Sequence, residues 1–500
     1  MYNRLFKKKK KFKLFLLIIL FFAYLSIFIY FLYHAYLRLN HPYDLTAAEG
    51  INLGFAKLLS EHKPIYFDIY EEPKYNVNSY PPIFPVFMTF LFPFVGKTSV
   101  AGRIMSLISS LLVGFIIFKI LTRKTKNKLI GSTFALAYFS VYYVFFWALS
   151  SRPDFISLLF SFTGIFFILI FLEKFTKYKK KNLCYYLSIL FFILAFFSKQ
   201  DFIAAPLATF LFLFIKHRKL SYQFLLHIIV VSLCIFLVLN LLTNWQFFIH
   251  VFLYHISFQE FPTYFVYGFI VTSLVFLFFS LNFLFNRPLS LFSFYFLISL
   301  LTMVLHLPRS GIGSNIFLEP FAVMIILTGL TISNIKKIPI ILMAVVFLFL
   351  QIPLTISGGN LGSSFLSNLN YINNGFIQNF EMEKKISNYV NNSDDNVFVE
   401  FPGYYVQNDV KAPLDVYKIY TLESTGVISK NELYGYCIQK NFSIIISFGD
   451  LESIKGIKNC IDDKYTLVET ITMIFYPDFR FNIGPEAQIK VKIYKLAVAQ

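Results

Sequence analysis

Charge is scarce in this chain. Only 14% of its 500 residues are Asp, Glu, Lys or Arg, and just 27 of these are acidic. A soluble domain carries about a quarter charged residues, so an ordinary soluble protein is excluded. Cysteine is scarcer still, with four in all, and their spacing matches no metal-ligand pattern. Cys184 and Cys234 fall in apolar segments and read as packing residues, whereas Cys437 and Cys460 lie in the tail. Whether that pair is bridged stays open. A cleavable leader is also lacking, because the opening "KKKKKFK" precedes an apolar run too long for a signal peptide and no small-residue cleavage site follows. No internal repeat is visible, which counts against a transporter.

What is present is apolar surface. The chain is 57% hydrophobic and 20% aromatic, with 66 Phe, and its apolar runs repeatedly reach the ~20 residues that cross a hydrocarbon core of ~30 Å. They fall at 14–37, 100–121, 129–149, 155–172, 183–197, 202–215, 222–243, 263–285, 289–306, 316–332 and 338–356. The reading is an α-helical multi-pass membrane protein with about eleven transmembrane helices. The net charge of +18 does not indicate nucleic acid, because the basic residues sit in short clusters between apolar runs. That pattern is what orientation signals and anionic headgroups require. One further stretch, 81–96, decides the topology. If it lies in the interface, the clusters at 4–13, 119–128, 174–181, 216–219, Arg287 and 336–337 are all cytoplasmic. That places the N-terminus inside and the tail outside. Residues 183–197 and 202–215 are short, and they are expected to form a hairpin whose "SKQD" tip sinks into the outer leaflet.

This assignment sorts the acids, which did not enter it: of the eleven Asp and Glu in residues 1–356, all but Glu173 fall outside. The chemistry is therefore expected on the outer face. Residues 1–356 read as the membrane domain, with a first outer loop over 38–99. Residues 357–500 alternate strand-like runs ("NVFVEF", "FSIIISF", "IKVKIYKLA") with helix-like ones. A small extracytoplasmic α/β domain is expected there.

The outer segments supply the candidate site. "HPYDLTAAEG" holds Asp44 and Glu49 just past the first span, at the start of an amphipathic pattern (Ile51, Phe55, Leu58, Leu59). Thr46–Glu49 also fits a capping box, and Asp44 also fits a solvated turn. "SSRPD" supplies Arg152 and Asp154, which equally form a local ion pair. "SKQD" supplies Lys199, Gln200 and Asp201, with Lys199 also able to snorkel to headgroups. "HLPRSGIGSNIFLEP" supplies His306, Arg309, Asn315 and Glu319, the last either a site residue or a buried partner for Arg309. Charges at membrane depth are costly and mark cavities by default. Together they put carboxylates and cations at one membrane level.

The order of these elements resembles the GT-C glycosyltransferase superfamily, in particular the protein O-mannosyltransferase and aminoarabinose transferase type. The matching features are an acidic first outer loop, the "SYPPIF" interfacial stretch, "AGRIMSL", "RPD", a Lys-Gln turn and "GSNIFLEP", with "VFVEFPGYY" and "KNFSIIIS" in the tail. The resemblance implies a GT-C fold and a polyprenyl-phosphate-linked sugar donor used on the outer face. It also implies a glycan, lipid or protein acceptor activated by an acid of the first outer loop. Two departures stand out. The family's adjacent Asp-Glu pair is split into Asp44 and Glu49, and the Lys that often precedes the two prolines is Tyr80 here.

Transfer from a lipid phosphate needs a base for the acceptor, cations for the departing phosphate and exclusion of water. The catalytic candidates are Glu49, taken first, and Asp44. Arg152, Asp154, Lys199, Gln200, Asp201, His306, Arg309, Asn315 and Glu319 are the substrate-binding candidates. If Glu49 only caps a helix, its amide should be harmless, and if it is the base, its amide should kill transfer while the fold stays intact. No metal site and no certain cofactor are expected, with a divalent cation left open, and the partners are the donor, the acceptor and membrane lipids. A single attacking acid suits inversion at the anomeric carbon. The competing readings are a lipid-linked-glycan flippase or transporter, which would show repeats, and a polysaccharide polymerase or ligase, which would need a larger loop between late spans.

Overall fold

The computed structural model describes residues 2–71, 74–178, 180–254, 263–309, 313–335, 337–356, 379–392, 397–404, 416–449, 451–474 and 488–497. Up to residue 356 the chain is helical: α1 (Tyr2–Leu39), α2 (Ala47–Ser60), α3 (Ile83–Val95), α4 (Ser99–Thr125), α5 (Lys128–Phe139), α6 (Tyr142–Trp147), α7 (Asp154–Tyr178), α8 (Leu183–Ser198), α9 (Ala204–Lys216), α10 (Arg218–Leu242), α11 (Gln246–Phe248), a π-helical turn (Ile249–Leu253), α12 (Thr263–Asn286), α13 (Leu291–His306), a 3-10 turn (Ser314–Phe317), α14 (Leu318–Asn334) and α15 (Ile338–Ile356).

All eleven apolar runs form helix, but among the described residues only six helices are long and apolar enough to cross a membrane: those in α1, α4, α7, α10, α12 and α14. The runs in α8, α9, α13 and α15 form shorter apolar helices. The run 129–149 is broken at Ser140–Val141 into α5 and α6. Helices α8, α9 and α13 stop short at one end for a common reason. Ser198, Ala204 and His306 border the polar residues of the candidate site. At ~1.5 Å per residue, the 13 residues of α9 reach only ~20 Å, so the site is recessed. Helices α8 and α9 are consecutive but do not form a packed hairpin, since α8 lies against α7 and α9 against α13.

The opposite helix ends are capped by short side chains in the basic loops. Asn127 accepts from the amides of Leu129 and Ile130, Asn182 from Cys184, and Ser290 from Ser293. Helix α14 is the axis of the bundle and is buried continuously from Leu318 to Ile332, with α4, α5, α12 and α13 around it. Gly329 permits this packing, because a Cβ there would press on Leu121 and Phe134. Lys13 of α1 donates to the carbonyls of Ile332, Ser333 and Ile335, closing the C-terminal end of α14. Helix α10 presents Leu226, Ile229, Val230, Leu233, Leu237 and Leu241 outward, a face suited to lipid. Helix α3, at 13 residues, exposes Phe87, Phe90 and Phe94.

The C-terminal part carries a four-stranded sheet in the order β1-β2-β4-β3, formed by β1 (Val397–Val399), β2 (Ile444–Ser447), β3 (Tyr465–Ile474) and β4 (Gln488–Leu496). The β1–β2 pair is parallel, with Val397 opposite Ile444, and the other pairs are antiparallel. Cys437 and Cys460 are disulfide-bonded, tying helix Lys430–Lys440 to helix Lys455–Lys464. The core beneath the sheet also takes Ile69, Tyr75 and Val77 from the first outer loop. The expected boundary at 356/357 and the connection over 357–378 lie at and beyond the edge of the described residues.

Candidate functional site

The first cluster forms around Arg103, near the start of α4. Its guanidinium donates to both oxygens of Glu49, Nε to Oε1 at 3.1 Å and Nη2 to Oε2 at 2.6 Å, and to the carbonyls of Arg38, His41 and Tyr43. Glu49 also accepts from the amides of Leu45 and Ser151, each at 2.8 Å. Both side chains are fully buried. Four donors therefore converge on one carboxylate. Burial pushes the Glu49 pKa up, but the Arg103 charge and these hydrogen bonds outweigh it and hold the pKa below the usual range. The capping box read from the sequence does not form: Thr46 makes no side-chain cap bond, and Glu49 reaches the Leu45 amide rather than that of the N-cap. Arg103 itself was missed as a site residue. Its signal was a lone Arg in the opening turns of an apolar helix on the acid-rich side.

Asp44 is in a different situation. Ser99 Oγ donates to its Oδ1 and the Gly403 amide to its Oδ2, both at 2.7 Å, and among the described residues no cation is ion-paired with it. Burial and the neighbouring Glu49 charge raise its carboxyl to about 7, against the opposing pull of Ser99, Arg103 and Gly403. Two carboxylates five residues apart are thus driven in opposite directions by their surroundings, a pattern that separates acid–base groups from structural ones.

The loop Ser150–Asp154 links this cluster to a second one. Ser151 binds Glu49 through its amide and Asn52 through its carbonyl. Three residues on, Asp154 accepts from Arg152 Nε (3.1 Å), Lys199 Nζ (2.6 Å) and Asn315 Nδ2 (2.6 Å). Lys199 also lies 3.8 Å from Asp201, which holds Arg309 at 3.0 Å and His306 at 3.3 Å. Among the described residues, three cations (Arg152, Lys199 and Arg309) face two carboxylates (Asp154 and Asp201). Arg309 is the most open of the three, about a third exposed (31%). Arg152 stacks over Trp147, whose indole donates to Ser314.

Tyr80 joins this group. Its hydroxyl accepts from Arg152 Nη2 at 3.0 Å, so its own O–H points elsewhere. The segment before it is pinned: Gln200 donates to the Ser79 carbonyl, and the Asn78 amide donates to His250 Nδ1 on the π-helical turn. Burial lowers the His250 pKa to about 4, keeping the ring neutral and able to accept. No motif in the sequence announced His250.

The structure therefore brings together Arg152, Asp154, Lys199, Gln200, Asp201, His306, Arg309 and Asn315, and joins them to Glu49 and Asp44 through one loop. Glu319 stands apart. It is buried on α14, where Ser161 (2.9 Å) and Tyr295 (2.7 Å) donate to it, and Arg309 pairs with Asp201 rather than with Glu319.

Residues 79–242 match the family model for dolichyl-phosphate-mannose-protein mannosyltransferase. The fold is similar to that of ArnT from Cupriavidus metallidurans. Against its apo structure the TM-score is 0.60 at 11% identity, covering 94% of this chain and 97% of that one. Against its structure bound to undecaprenyl phosphate the TM-score is 0.57 at 10% identity, with the same coverage. No curated protein sequence matches this chain. The resemblance read from the sequence is thus met by a family match over residues 79–242 and by a likeness of fold, and the chain is a multi-pass membrane protein.

Proposed function

We propose that this protein transfers a sugar from a polyprenyl-phosphate donor to a hydroxyl of a glycan, lipid or protein on the outer face of the membrane, with inversion at the anomeric carbon. The observation that carries this reading is the pairing of a buried carboxyl near neutrality, Asp44, with a recessed cluster that gathers Arg152, Lys199 and Arg309. In the transfer step, Asp44 takes the acceptor's proton and the acceptor oxygen attacks C1. The bond from C1 to the phosphate oxygen breaks, and polyprenyl phosphate leaves with the electron pair. Arg152, Lys199 and Arg309 face the charge that grows on that phosphate, and the Tyr80 O–H adds a neutral donor beside them. The ArnT structure bound to undecaprenyl phosphate supports a donor of that class. The deciding experiment incubates purified protein with a panel of polyprenyl-phosphate sugars and envelope extract. Release of polyprenyl phosphate is expected, and none from any donor would refute the reading.

This role for Asp44 reverses the order taken from the sequence. Glu49 has its lone pairs committed to Arg103 and two amides, so it serves as the structural anion that organises the first outer loop. Asp44 is the base.

Lys199→Ala and Arg309→Ala should each slow donor turnover more than ~10-fold, since each removes a charge-assisted contact. Lys199→Arg and Arg309→Lys should recover only part of this, because the two head groups differ in geometry. Tyr80→Phe should cost less, about 3- to 10-fold, the worth of one neutral hydrogen bond. Wild-type rates in both alanine variants would place the phosphate elsewhere.

The proposed orientation has the N-terminus cytoplasmic and the α/β part outside. The basic loops support it, as does the Cys437–Cys460 disulfide, which an oxidising compartment favours. A membrane-impermeant thiol reagent on intact cells should label a cysteine at Lys440 and spare one at Thr125. Labelling at Thr125 would reverse the topology.

A further inference from the structure

Three contacts bring the outer part down onto residues 41–44. Glu383, on the helix spanning 379–391, lies 3.0 Å from His41 Nε2. The spacing is that of an ion pair, yet burial pushes Glu383 up and drives His41 down to about 3, so the contact is one between neutral groups. Tyr404 stacks on Tyr43 with ring centroids 5.6 Å apart. Between them the Gly403 amide donates to Asp44 at 2.7 Å, across 359 positions of sequence.

The approach is too close for any side chain. A Cβ on Gly403 would collide with the Asp44 carboxyl, and one on Gly50 would collide with both the Gly403 backbone and Asp44. The turn carrying Gly403 is itself braced. Phe401 stacks on Phe448 at 4.3 Å, and Glu400 accepts from the amides of Phe448, Gly449 and Leu451. A braced turn thus meets Asp44 through the Gly403 amide.

We propose that the outer part completes the catalytic centre, with the Gly403 amide orienting the Asp44 carboxylate and Gly50 leaving room for it. The proposal rests on Asp44 being the base. A carboxylate accepts a stronger hydrogen bond than a carboxylic acid does, so the amide favours the proton-free form that the reaction needs. The other groups facing Asp44 are Glu49 from α2, Ser99 and Arg103 from α4, with the neutral His41–Glu383 contact beyond them.

The test uses the full chain in lipid nanodiscs, with the donor and extract that support release of polyprenyl phosphate. Gly403→Ala and Gly50→Ala should lower kcat about 10- to 100-fold, the range for a hydrogen bond to a charged group. KM for the donor should stay put, and the acidic limb of the kcat profile should move to higher pH. In an Asp44→Asn background, Gly403→Ala should add no further loss, because both changes act on the same group. A folded Gly403→Ala variant with wild-type kcat and an unmoved profile overturns the proposal, as does a full additive loss in the double variant. If Gly403→Ala does not fold, Tyr404→Leu decides. It loosens the same turn without touching Asp44, and must shift the pH limb in the same direction or the proposal fails. An active Asp44→Asn variant would instead refute the base assignment, so the two failures are distinguishable.

Discussion

Asp44→Asn is expected to lower transfer at least ~100-fold, the usual effect of removing a general base, with thermal stability near wild type. The stability half follows from the geometry. The asparagine carbonyl accepts from the Gly403 amide, and its NH2 donates to Ser99 Oγ, which accepts as readily as it donates. Both contacts survive and no charged partner is stranded. The activity half follows from the chemistry, since an amide takes no proton near neutral pH. The wild-type pH profile carries the same signature. With a carboxyl near 7, the rate should rise about tenfold per pH unit below that value, as Asp44 loses its proton, and level off above it. A rate that is flat from pH 5 to 8, or an active Asp44→Asn enzyme, would remove Asp44 from the mechanism.

Glu49→Gln should damage the fold itself. The substitution leaves the Arg103 guanidinium buried without its counter-ion, and it turns one acceptor into an NH2 that faces a backbone amide or the guanidinium. Breaking one partner of a buried pair costs about 3–5 kcal/mol, so a sharp fall in unfolding temperature or in yield is expected, with activity lost as a consequence. Arg103→Gln should do the same, leaving Glu49 charged and the carbonyls of Arg38, His41 and Tyr43 without a donor. Replacing both together, Glu49→Gln with Arg103→Gln, should recover part of the stability because no lone charge remains. A well-folded but inactive Glu49→Gln enzyme would restore Glu49 as the base.

The sequence alone carried the architecture. Apolar runs above span length, interleaved with basic clusters, leave little choice besides a helical membrane bundle, because lipid satisfies no backbone polar group. The order of its outer-face segments was enough to suggest a GT-C relative. Lys199, Gln200, Asp201, Arg152, Asp154, His306, Arg309 and Asn315 were legible as a group because charges at membrane depth are too costly to be incidental. The broken helix at Ser140 was not legible in this way, since hydropathy reports burial and not where a helix stops.

Which acid does what was decided only by tertiary structure. Asp44 and Glu49 are both acids on the same outer loop, and nothing local distinguishes a base from a structural anion. The difference comes from groups that are remote in sequence: Arg103 and the Ser151 amide on Glu49, and Ser99 and the Gly403 amide on Asp44. The surroundings of Glu319 were hidden for the same reason, because its partners Ser161 and Tyr295 come from two other helices. A carboxylate's proton affinity is set by the charges and dipoles within a few ångströms of it, and in this fold most of those neighbours arrive from 50 to several hundred residues away in the chain.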